Sequence, residues 1–379
     1  MTQLTQPIYL DYAATTPIDK RVAVVMQHYL TQEGMFGNPA SRHVYGKKAS
    51  AAIEHARAQV AQVLQAHPSE IIWTSGATES NNLALKGAAH LYQRKGKHIL
   101  TVSTEHKSVL DTCQHLEKEG YLVTYLDTQA DGRINLNDFE AALRNDTVLV
   151  SIMHVNNETG VIQDIDEIAK ITAARRMLLH VDAAQSVGKI SFNTQNIPVD
   201  LVSVSAHKAY GPKGIGALYL RKKPRVRVEP LIHGGGHEQG MRSGTLATHQ
   251  IVGMGEACRL AYEEMQKDAK KILVLRDRFL QQLQQIKNFR LNVTIQHTVP
   301  HILNVRFEGM MADAILEKLP MIATSTASAC QGKGTEGSYV LRAMGLNRDA
   351  IKSSIRFSLG RLTTQHEIDT AIQCISHIF

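Results

Sequence analysis

Leu201-Val-Ser-Val-Ser205-Ala-His-Lys208 runs directly into Ala-Tyr210-Gly-Pro-Lys-Gly214, and this stretch decides the fold. Residues 201–204 read as a buried strand, and the polar residues and Gly-Pro turn after them mark its end. A lysine in that position is either a solvated surface cation or a site residue. Sites in parallel sheets lie in the loops at the carboxyl ends of strands. The same texture repeats upstream. Residues 71–73, 98–102, 121–126, 148–153 and 178–181 are short apolar runs bounded by turn residues. Between them, 48–66, 82–94, 136–143 and 165–174 carry apolar residues at helical spacing. The alternation predicts an α/β fold with a mainly parallel sheet covered by helices on both faces. After Gly255 a long helix is expected over 256–285. A strand at 301–307, a helix at 312–319, a strand at 355–359 and a helix from about Gln365 follow, which reads as a second, smaller α/β domain.

The 379 residues leave room for two domains, and 43% hydrophobic with 20% charged residues is a globular balance. No stretch approaches the ~20 apolar residues that cross a bilayer. Residues 1–10 show no basic or apolar signal segment, so a cytoplasmic protein without membrane association is expected. Cys113, Cys258, Cys330 and Cys374 are widely spaced and form no CxxC pair. That points away from disulfides and metal sites and toward a reducing compartment. The formal charge is +7, but the basic residues are scattered apart from Arg221-Lys-Lys-Pro-Arg-Val-Arg227, and aromatics make up only 5%. This is little stacking material for nucleic acid. An acidic protein partner or an anionic cofactor explains the charge at least as well.

Three further motifs sit at strand ends. In Val181-Asp182-Ala-Ala-Gln185 the aspartate is either an N-cap or a functional carboxylate. Thr74-Ser-Gly-Ala77-Thr78-Glu-Ser-Asn81 is an ordinary cap or a phosphate cradle, since a helix N-terminus offers free N–H groups and a favourable dipole. In Ser103-Thr-Glu-His106-Lys-Ser108 the histidine, one of 18 in the chain, can serve as a proton shuttle. Pyridoxal phosphate (PLP) chemistry asks for this combination: a lysine amine for the Schiff base, a carboxylate to keep the pyridine nitrogen protonated, and a phosphate site.

Together the motifs resemble the fold-type-I PLP enzymes of aminotransferase class V, and within them the cysteine desulfurases of the NifS/IscS type, nearest the housekeeping group that serves iron–sulfur assembly. The likeness runs through Tyr9-Leu-Asp-Tyr-Ala-Ala-Thr-Thr-Pro17, Phe36-Gly-Asn-Pro-Ala-Ser41, Ser75-Gly-Ala-Thr-Glu-Ser80, Met153-His-Val-Asn-Asn-Glu158, Ser205-Ala-His-Lys208, His233-Gly-Gly-Gly-His-Glu238, Arg242-Ser-Gly-Thr245 and Ser354-Ile-Arg-Phe-Ser358. It implies a large PLP-binding domain over 15–258, and a small domain of 1–14 with 259–379. It also implies roles: Lys208 holds the cofactor and moves the Cα proton, Asp182 pairs with the pyridine nitrogen, and Gln185 with the ring oxygen. His106 stacks on the ring and acts as acid–base. Ala77, Thr78, Ser205 and His207 bind the cofactor around its phosphate, joined by Thr245 from the other subunit, so a homodimer is expected. Asn157 and Arg356 hold the substrate carboxylate, a task suited to a planar guanidinium.

Ser325-Thr-Ala-Ser-Ala-Cys330 and Gln331-Gly-Lys-Gly-Thr-Glu-Gly337 place one cysteine in a glycine-rich polar stretch. The other three read as small buried hydrophobes. By the resemblance, Cys330 attacks the sulfur of the cofactor-bound L-cysteine, which leaves a persulfide and releases L-alanine. His106 or Lys333 would favour its thiolate. The family usually has Ser-Ser-Gly-Ser-Ala-Cys here. Thr326 and Ala327 depart from it, and Ala restricts the backbone more than Gly does. The chain ends at Phe379, where close relatives continue into a tail that helps dock the scaffold protein. Expected sulfur acceptors are an iron–sulfur scaffold and tRNA-thiolation relay proteins, with Arg221 to Arg227 a candidate docking surface. A selenocysteine lyase or another class V enzyme is the alternative, and a non-catalytic sulfur-relay partner a further one. No metal is expected.

Overall fold

The computed structural model describes residues 7–326 and 337–379. Its centre is a seven-stranded sheet in the order Ile71–Thr74, Gly216–Leu220, Leu201–Ser205, Leu178–Asp182, Thr147–Ser151, His98–Val102, Leu122–Leu126. Five of these strands are buried at every residue, as a sheet covered on both faces requires. Helices Val44–Leu64, Ile165–Ala174 and the start of Thr248–Leu283 pack on one face through Ile53, Val60, Ile168 and Ile251. Helices Ala77–Tyr92 and Lys107–Lys118 cover the other through Leu83, Val109 and Leu116.

The α/β class and mainly parallel sheet hold, with one departure. Gly216–Leu220 runs antiparallel to both neighbours because it returns directly from the turn after Lys208. Its first residue is glycine for want of space: a Cβ there would meet Gly76 Cα and Val204 O, both at 2.6 Å. The long helix starts at Thr248 rather than near 256. Gly255 looked like a break but is a packing site, where an added Cβ would lie 2.6 Å from Ala56 Cβ on the neighbouring helix.

A second core joins Ile8 and Leu10 to Phe279 and Leu283 of the long helix and to Val305, Phe357 and Ile372. It backs an antiparallel sheet in the order Ser325–Thr326, Ser354–Ser358, Ile302–Phe307, Phe289–Leu291. The N-terminal strand Ile8–Tyr9 pairs with Ile322–Ala323. Residues 10–16 therefore leave the second core and pass along the carboxyl edge of the large sheet. Among the described residues no helix is long and apolar enough to cross a membrane.

Candidate active site

A cavity of about 560 Å³ opens at the carboxyl ends of the large sheet. Lys208 ends the short helical turn Ala206–Lys208 that follows strand Leu201–Ser205. Its Nζ donates to the carbonyl oxygens of Ala13 and Ala14, each at 2.6 Å.

Asp182 is the last residue of its strand. Its Oδ1 accepts from the Ala184 N–H at 2.9 Å, and its Oδ2 from Asn81 Nδ2 at 2.7 Å. Asn81 also donates to Ser108 Oγ at 2.8 Å. His106 caps helix Lys107–Lys118, with its Nδ1 accepting from the Ser108 N–H at 3.1 Å. A neutral ring bound that way carries its proton on Nε2. Burial, followed by Lys208, lowers the His106 pKa against the opposing pull of Asp182. Next to it, Glu105 is fully buried, accepts from the Met153 N–H, and is pushed well above the carboxylate range by burial and then by the charge of Asp182. Burial thus favours the protonated form of Glu105, and Asp182 is the carboxylate that lines the cavity.

Ser75, Gly76, Ala77 and Thr78 line the opposite end of the cavity with Ser205 and His207. Gly76, at φ +154°, caps helix Ala77–Tyr92 without any side-chain hydrogen bond, so the first N–H groups of the helix stay available to an anion. The one carboxylate there, Glu79, is occupied: it accepts from the Ser75 N–H at 2.7 Å and from Arg242 Nε at 2.9 Å. His207 lies 3.1 Å from Thr15 Oγ1, and burial followed by Lys208 lowers its pKa to about 4. Thr245 is exposed and lies outside this cavity.

Arg356, on strand Ser354–Ser358, is 3% exposed. Its Nη1 donates to Asn157 O at 2.9 Å and its Nη2 to Asp11 Oδ1 at 2.7 Å. Among the described residues, its Nε and the neighbouring Asn157 Oδ1 are buried without a hydrogen-bond partner. Such groups call for a ligand or water to satisfy them. Gln185 donates from Nε2 to Ala13 O at 2.8 Å.

The donor set fits PLP. An uncapped helix N-terminus suits the phosphate, a fixed carboxylate the pyridine nitrogen, an amine the aldehyde, and unsatisfied polar atoms a polar substrate. Ala77, Thr78, His106, Asn157, Asp182, Gln185, Ser205, His207, Lys208 and Arg356 all line the one cavity. Cys330 lies outside the described residues, as does Ala327. Of the remaining cysteines, Cys113 and Cys258 are fully buried, and Cys374 packs half-buried against the second core. Sequence reasoning did not find Asn81, Ser108, Glu105, Asp11 or the Ala13 and Ala14 carbonyls as parts of the site.

The family model for aminotransferase class V matches residues 8–370. A cysteine desulfurase IscS of Vibrio vulnificus (strain YJ016) is 56% identical over 97% of this chain and 92% of its own length. The protein of that name from Photorhabdus laumondii is 57% identical with the same coverage. Among solved structures, a NifS-like protein superposes with a TM-score of 0.92 at 37% identity, covering 98% of this chain and 99% of its own. A structure described as SspA in complex with cysteine gives 0.83 at 37%, covering 94% and 99%. With this match from end to end and a cavity built for the cofactor, the chain belongs to the class V aminotransferase family of PLP-dependent enzymes, among its cysteine desulfurases.

Proposed function

We propose that the enzyme converts L-cysteine to L-alanine and takes the sulfur onto Cys330 as a persulfide. The observation that carries this reading is the convergence of Lys208, His106, Asp182, Asn157 and Arg356 on one cavity. PLP, when bound, supplies an electron-poor ring that weakens the bonds at the substrate's Cα. Lys208 would hold the cofactor through Nζ and move the Cα proton, and the Ala13 and Ala14 carbonyls position the amine. Asp182, fixed by Asn81 and the Ala184 N–H, pairs with the ring nitrogen. Gln185 serves the ring oxygen. Ala77, Thr78, Ser205 and His207 hold the phosphate end, and Thr245 of a second copy completes it in a homodimer.

Arg356 and Asn157 grip the substrate carboxylate, and His106 moves protons through Nε2. The Cys330 thiolate attacks the substrate sulfur, and the carbon–sulfur bond breaks. The carbon fragment takes up a proton and leaves as alanine, while Cys330 keeps the sulfur. Delivery to an iron–sulfur scaffold and to tRNA-thiolation relay proteins in the cytoplasm follows from the same reading. The exposed Lys223, Arg225 and Arg227 offer a surface for an acidic partner. We read residues 15–258 as the large domain and 1–14 with 259–379 as the small one.

Substitution of Lys208 by alanine tests the cofactor assignment. The purified variant should lose both the yellow absorption and alanine formation. A variant that kept both would refute it.

A further inference from the structure

Lys189 follows Gln185 by four positions and lies half-buried behind the cavity wall. Among the described residues its Nζ makes one hydrogen bond, to Gln185 Oε1 at 3.0 Å. Among the described residues no carboxylate pairs with it. Asp268, which faces the same inner cavity of about 30 Å³, is taken by Arg361 Nε at 2.6 Å. Tyr12, Tyr210 and His301 also line that space. From the site side, Lys208 and Arg356 bring like charges, and His207 feels the lysine as a further cation. Burial, then those two charges, lowers the Lys189 pKa to about 7. An ammonium enclosed among cations costs stability and gains none from an ion pair. A lysine kept in such a place beside a site points to a functional task.

The hydrogen bonds indicate the task. Lys189 donates to Gln185 Oε1, Gln185 Nε2 donates to Ala13 O at 2.8 Å, and Lys208 Nζ donates to that same oxygen at 2.6 Å. As an ammonium the lysine only donates, so its bond makes Oε1 the accepting end of the Gln185 amide and leaves Nε2 as the end that donates.

We propose that Lys189 is a positioning residue for the reaction: its bond to Gln185 Oε1 fixes the Gln185 amide with Nε2 as the end that donates in the cofactor site. The inference rests on reading Gln185 and Lys208 as cofactor residues.

The test uses holoenzyme carrying Lys189→Met, close in size but without charge or donor, and Lys189→Gln, which keeps a donor and loses the charge. The cofactor's absorption maximum should shift in Lys189→Met, where nothing fixes the Gln185 amide, and stay at the wild-type wavelength in Lys189→Gln, which still donates to Gln185 Oε1. Lys189→Met alone should also lose cofactor several-fold faster on dialysis, because Gln185 is then free to turn. Thermal midpoints should equal or exceed wild type, since an uncompensated cation has been removed. A lowered thermal midpoint with an unmoved absorption maximum and wild-type cofactor retention in Lys189→Met would mean a merely structural lysine and overturns the inference. If Lys189→Met does not fold, a Lys189→Gln protein that loses cofactor several-fold faster than wild type overturns it alone, since that variant keeps the donor. A colourless wild type would instead overturn the assignment of Lys208, and this inference with it.

Discussion

Replacing Arg356 with lysine keeps the charge and removes the fork. In the structure the guanidinium spans Asn157 O at 2.9 Å and Asp11 Oδ1 at 2.7 Å while further N–H groups remain for a ligand. A lysine ammonium is a point donor and cannot hold that planar geometry. The expected loss is one charge-assisted hydrogen bond to the substrate carboxylate, about 1.5–3 kcal/mol, or roughly 10- to 150-fold in kcat/KM. Alanine formation against cysteine concentration measures it. Cysteamine, which has no carboxylate, supplies the control: its binding, followed by the cofactor's absorption, should be the same in both proteins. A change in kcat/KM below about threefold, or an equal loss for cysteine and cysteamine, would refute the assignment of Arg356 to the carboxylate.

Three further outcomes are expected. Glu238 is buried and accepts from Arg57 at 2.7 and 2.9 Å and from the Trp73 N–H at 2.8 Å. Glu238→Ala leaves Arg57 with the Ile71 carbonyl and, as carboxylate among the described residues, the exposed Glu54, and should cost about 3 kcal/mol in denaturant unfolding; a loss below 1 kcal/mol counts against the pair. Glu158 is raised to about 7 by burial, against the pull of Ser338 and Arg356. Its folded pKa lies above its unfolded one, so its contribution is present at low pH and lost as pH rises through 7. Glu158→Gln should therefore gain about 2–3 kcal/mol on wild type between pH 5 and 8, and a pH-independent difference would contradict this. Asn81→Ala removes the donor shared by Asp182 and Ser108 and should lower kcat about tenfold or more with little change in cofactor content, since the phosphate contacts remain; an unchanged kcat would leave Asn81 outside the site.

What was legible in the sequence follows from range. Strand His98–Val102 and helix Ile165–Ala174 lie where local pattern put them, because each is an unbroken apolar run or an unbroken helical stripe. The strand-end motifs were legible too, since a parallel sheet gathers those ends on one edge. Helix Lys107–Lys118 was missed because its polar start read only as a site motif. The supporting contacts were not legible for a different reason. Asn81 meets Asp182 across 101 positions and Asp11 meets Arg356 across 345, and no local pattern encodes such pairs. Glu105 left a faint signal, an acid beside His106 at the end of a buried strand, but its raised pKa comes from burial beside Asp182.

The most direct test of sulfur transfer through Cys330 is alanine release from L-cysteine by the purified protein with PLP and a thiol reductant, wild type beside Cys330→Ala. Alanine from the wild type, with a yellow but inactive Cys330→Ala protein that forms no persulfide, is the expected result. Alanine and sulfide at the wild-type rate from Cys330→Ala would contradict it.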